Sequence, residues 1–271
     1  MRVTGLGEPM TYRQDPRWGY LMEPGRRVST YGSPLQINSP GLRGPELRDP
    51  KPAGVIRVLF LGDSITYGSG RVPERGMFCR RVETLAAEHG LQVESVNVSA
   101  AGWSPQNWVA WTAANGLLGA DLLVPVIPTI DLARPFARPE QYDMLEHPPL
   151  LRLTNLWWKA QSPWLPSVPL TEEALAANLA AIRELESRLH GVPLVAVFIP
   201  SREPGDHLEW WLPYEKQFPG ALDLRESLEP SDFVDVVHLS AAGHAEVGER
   251  IWARLRPQLE ALAAARAARV Q

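Results

Sequence analysis

Val55-Ile-Arg-Val-Leu-Phe-Leu-Gly62-Asp63-Ser64 is the stretch on which the fold turns. Its apolar run has strand length and ends in a sharp Gly-Asp-Ser turn, so it reads as a buried strand that delivers a serine at its exit. Phe78 to His89 follows as a helix, with Gly90 as its stop. Leu91-Gln-Val-Glu-Ser-Val-Asn-Val alternates and predicts a second strand. Ser104 is an N-cap candidate before Pro105, which suits a first helical position, and Trp108 and Trp111 share one face of that helix. Leu122-Leu-Val-Pro-Val-Ile predicts a third strand, in which Pro125 is awkward for a central position.

Further along, Thr171 caps a helix whose Glu172 and Glu173 suit the positive end of the dipole. Leu175, Leu179, Ile182 and Leu189 form its apolar stripe, and Gly191 ends it. Pro193-Leu-Val-Ala-Val-Phe-Ile predicts a fourth strand and Ala221-Leu-Asp-Leu a short fifth. Ser240 opens the last helix, with Val247, Ile251, Leu255 and Leu259 at four-residue spacing. Strands alternating with helices imply an α/β fold, a mostly parallel sheet covered on both faces. Chemistry in such sheets lies beyond the carboxyl ends of the strands.

Two segments break this rhythm. Residues 1–54, rich in Pro, Gly and Arg, read as an extended N-terminal arm, with Tyr12, Trp18, Tyr20 and Leu21 packing on something; residues 55–271 form the α/β domain. Residues 132–170 hold Trp157, Trp158, Trp164 and many prolines, and a break of that length predicts a lid or functional loop.

With 45% hydrophobic and 21% charged residues in 271, the chain can bury a sizeable core. A formal net charge of -4 gives no electrostatic reason to expect nucleic acid as a partner. One cysteine, Cys79, excludes an intramolecular disulfide framework and any multi-thiolate site. The N-terminus shows no signal peptide and no apolar run approaches the ~20 residues of a membrane span, so a cytoplasmic protein without a membrane span is expected.

Two clusters carry chemistry. Ser64 sits at the strand exit, where a triplet such as Gly-Asp-Ser is by itself more often a turn. Asp235-Val-Val-His238 precedes the last helix, and by itself is more often a helix start with a solvated histidine. Together they supply a hydroxyl, a base and a carboxylate to orient the base. Asp63 and Asp131 read as turn caps, His244 as packing or capping, and Cys79 as buried and inert. A metal site from Asp235, His238 and His244 lacks supporting spacing, and no metal or cofactor is expected. The tryptophans, Trp103 first and then Trp157, Trp158, Trp164, Trp210 and Trp211, divide between core packing and pocket walls for sugar rings or acyl chains.

The order of these motifs resembles the SGNH hydrolase superfamily, the GDSL esterases and lipases, over about residues 55–262. Ile37-Asn-Ser-Pro-Gly-Leu-Arg-Gly-Pro-Glu is also similar to segments that precede the nucleophile strand in some bacterial members. The resemblance implies a three-layer sandwich around a five-stranded sheet, flavodoxin-like in build. It implies Ser64 as nucleophile, His238 as base and Asp235 as its partner, with the N–H groups of Ser64 and Gly102 as oxyanion donors. The usual third block, Gly-x-Asn-Asp, is absent: Pro128-Thr129-Ile130-Asp131 stands there, and Ile130 has no side-chain donor. Thr129, Asn107 or a lid residue could fill the gap, and Trp103, Asp131, Trp157 and Trp158 are the candidate substrate contacts. The expected activity is hydrolysis of an acyl or acetyl ester of a saccharide or small metabolite. The alternatives are an O-acyltransferase on the same triad, or a binding protein with a degraded site. A homodimer through the arm is one further expectation, and packing of the arm on its own sheet is the other.

Overall fold

The computed structural model describes residues 11–30, 33–68, 70–141, 169–201 and 208–270. The strand that leads to Ser64, β5 (Ile56–Gly62), is buried along its whole length. With β6 (Val93–Ser99), β7 (Leu122–Pro128), β8 (Val197–Ile199) and β9 (Leu222–Asp223) it forms a parallel sheet in the order β6-β5-β7-β8-β9. Counted within the sheet this is 2-1-3-4-5, the flavodoxin-like order, whose crevice opens where the strand order reverses. That switch lies between β5 and β7, and the residue after Asp63 is Ser64.

Pro125 is central after all. Leu123 donates its N–H to Pro193 and accepts from Val195, so two residues on, the Pro125 nitrogen faces the same neighbour without a hydrogen to give. Pairing there is reduced to a bridge at Leu123 and Leu194, and the β7–β8 ladder begins at Val126 and Val197. The fourth strand is therefore shorter than the apolar run 193–199 predicts.

Helices cover both faces. The helices α2 (Phe78–Glu88) and α6 (Ala241–Val270) pack on one, with Val247, Ile251, Leu255 and Leu259 completely buried as their spacing predicts. On the other lie α3 (Pro105–Asn115), α4 (Glu172–Ser187) and α5 (Leu208–Gln217). Ser104 and Asn107 form a capping box at the start of α3. Thr171 caps α4 through its side chain, which accepts from the Ala174 N–H at 3.1 Å. The buried stripe of α4 is Ala174, Asn178, Ile182 and Leu185. Ile182 and Leu189 are buried as the apolar count predicts, while Leu175 and Leu179 give way by one position to Ala174 and Asn178. The shift is driven by Asn178, whose amide donates to the carbonyls of Asp131, Leu132 and Arg134 and so belongs inside. A purely apolar periodicity cannot see a polar residue buried for its hydrogen bonds.

The described residues of the N-terminal segment, 11–30 and 33–54, include four short strands. They form two hairpins, β1 (Tyr12–Asp15) with β2 (Gly19–Met22) and β3 (Arg27–Thr30) with β4 (Ser33–Gln36). Their Tyr12, Trp18, Tyr20 and Leu21 are buried in the same cluster as Trp103, Trp108 and Trp111. Trp18 meets Trp103 edge-on at 6.2 Å between ring centres, and Asn107 donates to the Trp18 carbonyl. The aromatic side of the arm is thus spent on its own sheet. Of the expected lid at 132–170, only 132–141 and 169–170 are described; Trp157, Trp158 and Trp164 lie outside the described residues. Among the described residues, no helix is long and apolar enough to cross a membrane.

Candidate active site

Gly62 ends β5 because nothing larger fits. A Cβ there would lie 2.1 Å from the Thr66 hydroxyl and 3.2 Å from the Val126 carbonyl. Asp63 then caps the short helix α1 (Ser64–Tyr67), its Oδ1 accepting from the Ile65 N–H at 2.8 Å. Ser64 is the first helical residue, so its own N–H has no partner within the helix.

The Ser64 hydroxyl lies 3.0 Å from His238 Nε2, across 174 residues of chain. His238 Nδ1 lies 2.9 Å from Asp235 Oδ2. The Asp235 carboxylate also accepts from the backbone N–H groups of Val237 and His238, at 3.0 and 2.8 Å. These bonds fold residues 235–238 into one closed turn, itself fastened by Val234 N–H on the His238 carbonyl. Burial works to raise the Asp235 carboxyl, but the hydrogen bonds from His238 and Val237 outweigh it and hold the group below the usual carboxylate range. With Asp235 ionised and accepting, Nδ1 carries the ring proton and Nε2 is left as the acceptor for the serine. The Ser64 proton has a second acceptor in reach, Asp63 Oδ2 at 3.2 Å, and the histidine contact is the shorter.

Gly102 adopts a left-handed φ of 78°, in a turn closed by Trp103 N–H on the Ala100 carbonyl. Only glycine holds that conformation without strain. Tyr20 of β2 donates to the Ala101 carbonyl at 2.5 Å and so fastens the same turn to the arm.

Several expected contacts are not brought to the serine. Trp103 is completely buried in the core, is absent from the lining of the cavity at Ser64, and its indole N–H has no hydrogen-bond partner among the described residues. It packs the arm and is not a pocket wall. Asn107 is likewise spent, donating to the carbonyls of Trp18 and Ala137 and accepting from Ala137 N–H. Thr129 accepts from the Ser201 N–H at 3.0 Å, is buried and does not line the cavity. Asp131 is also buried, 3.0 Å from Arg134, and absent from the lining. Burial, reinforced by Asp63, raises its carboxyl well above the usual range. Trp211 packs on Phe198 with Arg225 over its ring. Trp157 and Trp158 lie outside the described residues.

His244 is stacked on Phe78 and accepts from the Phe78 N–H at 3.4 Å. Cys79 is buried, and burial pushes its thiol up to about 12, which keeps it protonated and inert. Among the described residues, no cluster of His, Cys, Asp or Glu could hold a metal ion.

Two arginines near the site were not singled out by the sequence. Arg71 Nη1 stands 3.4 Å from Asp235 Oδ2 and lines the cavity at Ser64. Arg43, buried in the arm, donates to the carbonyls of Tyr67 and Val72 and to Glu74, and so fixes the segment leaving α1. Only its place in the Asn-Ser-Pro-Gly-Leu-Arg segment marked it out.

No family model matches the chain, and no curated protein matches it in sequence. Solved structures do. The crystal structure of TesA superposes with a TM-score of 0.50 at 17% identity, over 74% of this chain and 98% of that one. The acetyl xylan esterase AlAXEase gives 0.50 at 15% identity, over 73% and 98%. At such identities what is shared is the fold: the chain has the α/β architecture of the SGNH hydrolases that its motifs resemble.

Proposed function

We propose that the protein is a serine ester hydrolase working through Ser64, His238 and Asp235. The observation that carries this reading is the unbroken chain of contacts, 3.0 Å from Ser64 Oγ to His238 Nε2 and 2.9 Å from Nδ1 to Asp235. Ser64 attacks the ester carbonyl as His238 takes its proton, and Asp235 steadies the imidazolium. The oxyanion lies against the N–H groups of Ser64 and Gly102. His238 hands its proton to the departing alcohol. It then deprotonates the water that cleaves the acyl-enzyme. Acetylated saccharides and simple acyl esters both fall within this chemistry; AlAXEase, which shares the fold, is an acetyl xylan esterase.

One observation favours a second reading. Ile130 offers no donor where the resemblance leads one to expect an asparagine, and loss of one oxyanion donor costs about 100–1,000-fold in rate. A binding protein with a degraded site would carry such a change. Against it stands the contact of Ser64 with His238 across 174 residues, which the closed 235–238 turn does not by itself require. A fluorophosphonate probe separates the two. Covalent labelling of the folded protein that vanishes in Ser64→Ala supports the hydrolase. A folded protein that takes no label is a binding protein. Should acetylated sugars or other alcohols trap the acyl group faster than water does, the same triad is running acyl transfer.

A further inference from the structure

The cavity at Ser64 is walled largely from outside the α/β sheet. Its lining joins Ser64, His238 and the 99–101 backbone to Tyr12, Leu21, Met22 and Gly41 of the N-terminal segment. Leu21 and Met22 are buried, as are Tyr12 and Tyr67 at the edges, so the wall is held by packing rather than by mobile side chains. Two of its hydroxyls are engaged elsewhere, Ser99 on Asn97 and Tyr67 on the Met22 sulfur. Burial raises both the Tyr12 and Tyr67 hydroxyls, Tyr67 to about 12, so neither carries charge. Among the described lining residues the arginine, Arg71, is held at the Asp235 end of the site. What remains on the arm side is an apolar chamber that begins at the nucleophile.

Which part of an ester would enter it follows from the order of events. The alcohol must leave past His238, and water must follow it in to the acyl-enzyme, so that side has to stay open. The acyl tail stays throughout and gains from being desolvated. The arm is also seated on the turn that carries Gly102, through Tyr20 and the Ala101 carbonyl, so its wall is in register with the carbonyl that would be attacked. The cavity measures about 180 Å³. A void of about 150 Å³ lined by apolar side chains holds a six-carbon ring.

We infer that the β1–β2 hairpin, through Leu21 and Met22, forms the acyl pocket of this protein and selects unbranched acyl chains of about six carbons. This rests on the hydrolase reading above. The N-terminal segment is then a specificity element, and residues whose sequence predicts only packing choose the substrate.

The test uses the full chain and two reagents. Alkyl fluorophosphonates with two- and six-carbon chains report entry into the pocket through the rate at which Ser64 is labelled, without turnover. A series of p-nitrophenyl esters from acetate to decanoate reports the complete reaction. Each methylene buried should raise kcat/KM about fourfold up to the limit of the chamber. Expected is an optimum near hexanoate, moved to longer chains by Met22→Ala and to shorter ones by Met22→Phe, with the six-carbon phosphonate outpacing the two-carbon one in the wild type and in Met22→Ala but not in Met22→Phe. Circular dichroism verifies the fold, and should Met22→Phe fail to fold, Met22→Ala decides. Label taken equally fast with both chains, and an optimum that neither substitution moves, overturns the acyl pocket and leaves the hydrolase standing. No label and no turnover on any ester overturns the hydrolase and the pocket with it.

Discussion

Ile130 is where a single side chain bears most on the chemistry. Ser64, His238 and Asp235 are in bonding contact, and under the proposed hydrolysis the oxyanion would rest on the N–H groups of Ser64 and Gly102, but the neighbouring candidates for a third donor are committed elsewhere. Asn107 serves Trp18 and Ala137, and Thr129 serves Ser201. If no third donor acts, Ile130→Asn should raise kcat on a simple ester by up to about 100-fold, with KM little changed, because the gain comes only as charge develops. Unchanged kcat would mean that the two backbone groups, or a residue of 142–168, already suffice. Asp235→Asn tests the other end of the relay. The amide would present the wrong group to Nδ1, and kcat should fall by about 10,000-fold with the fold intact. A loss of less than about tenfold would detach Asp235 from the mechanism.

At the scale of elements, the strand-turn-helix around Ser64 is tightly constrained, with a Cβ at Gly62 meeting Thr66 at 2.1 Å. The Gly62 Cα faces Thr66 one turn into α1, so Gly62→Ala forces either the turn or the helix to move. We expect a loss of about 1–3 kcal/mol, typical of overpacking, and a fall in Ser64 labelling larger than that loss explains, read from urea unfolding alongside the labelling rate. Wild-type labelling in Gly62→Ala would show that the turn is slack. This turn was legible in the sequence, as were five strands and the caps of α3 and α4, because each is set by local chemistry: an apolar run, a Ser or Thr before a helix, a Gly after it. What escaped the sequence depends on distant partners. The stripe of α4 is set by Asn178 reaching the 131–134 carbonyls, and the short β8 by the missing N–H of Pro125 on the neighbouring strand. Helix α5, with Pro213 inside it, gives no period to read. Trp103 misled for a related reason, since an aromatic beside a site glycine looks the same whether it faces substrate or the core.

Across the whole molecule, two couplings should show in global unfolding. His244 joins α2 to α6 as a neutral ring, and burial, followed by the charges of Arg43 and His238, pushes it down to about 3. An unfolded chain protonates this histidine near pH 6.5, so between about 6.5 and 3 the unfolded state binds the extra proton. The stability it confers is complete above pH 6.5 and is lost as pH falls, by about 1.4 kcal/mol for each unit. His244→Gln should flatten the wild-type slope between pH 6.5 and 5, measured by urea denaturation. Parallel slopes would place the acid sensitivity elsewhere. The second coupling runs through Arg43, which carries the N-terminal segment's hold on the residues after Ser64. Its guanidinium is fully buried among the carbonyls of Tyr67 and Val72, Glu74 and the Tyr67 ring. Arg43→Ala would strand those two carbonyls, while Glu74 keeps Arg80 at 2.8 Å, so the cost should stay near 3 kcal/mol, about the lower bound for a broken buried pair. Arg43→Lys should restore little, because a point-like ammonium cannot span three acceptors that a planar fork reaches together. If the arm positions the nucleophile segment, both variants should also slow fluorophosphonate labelling of Ser64 under conditions where they remain folded. If they lose stability but label at the wild-type rate, the arm supports the fold and leaves the placement of Ser64 to Asp63 and the β5 turn.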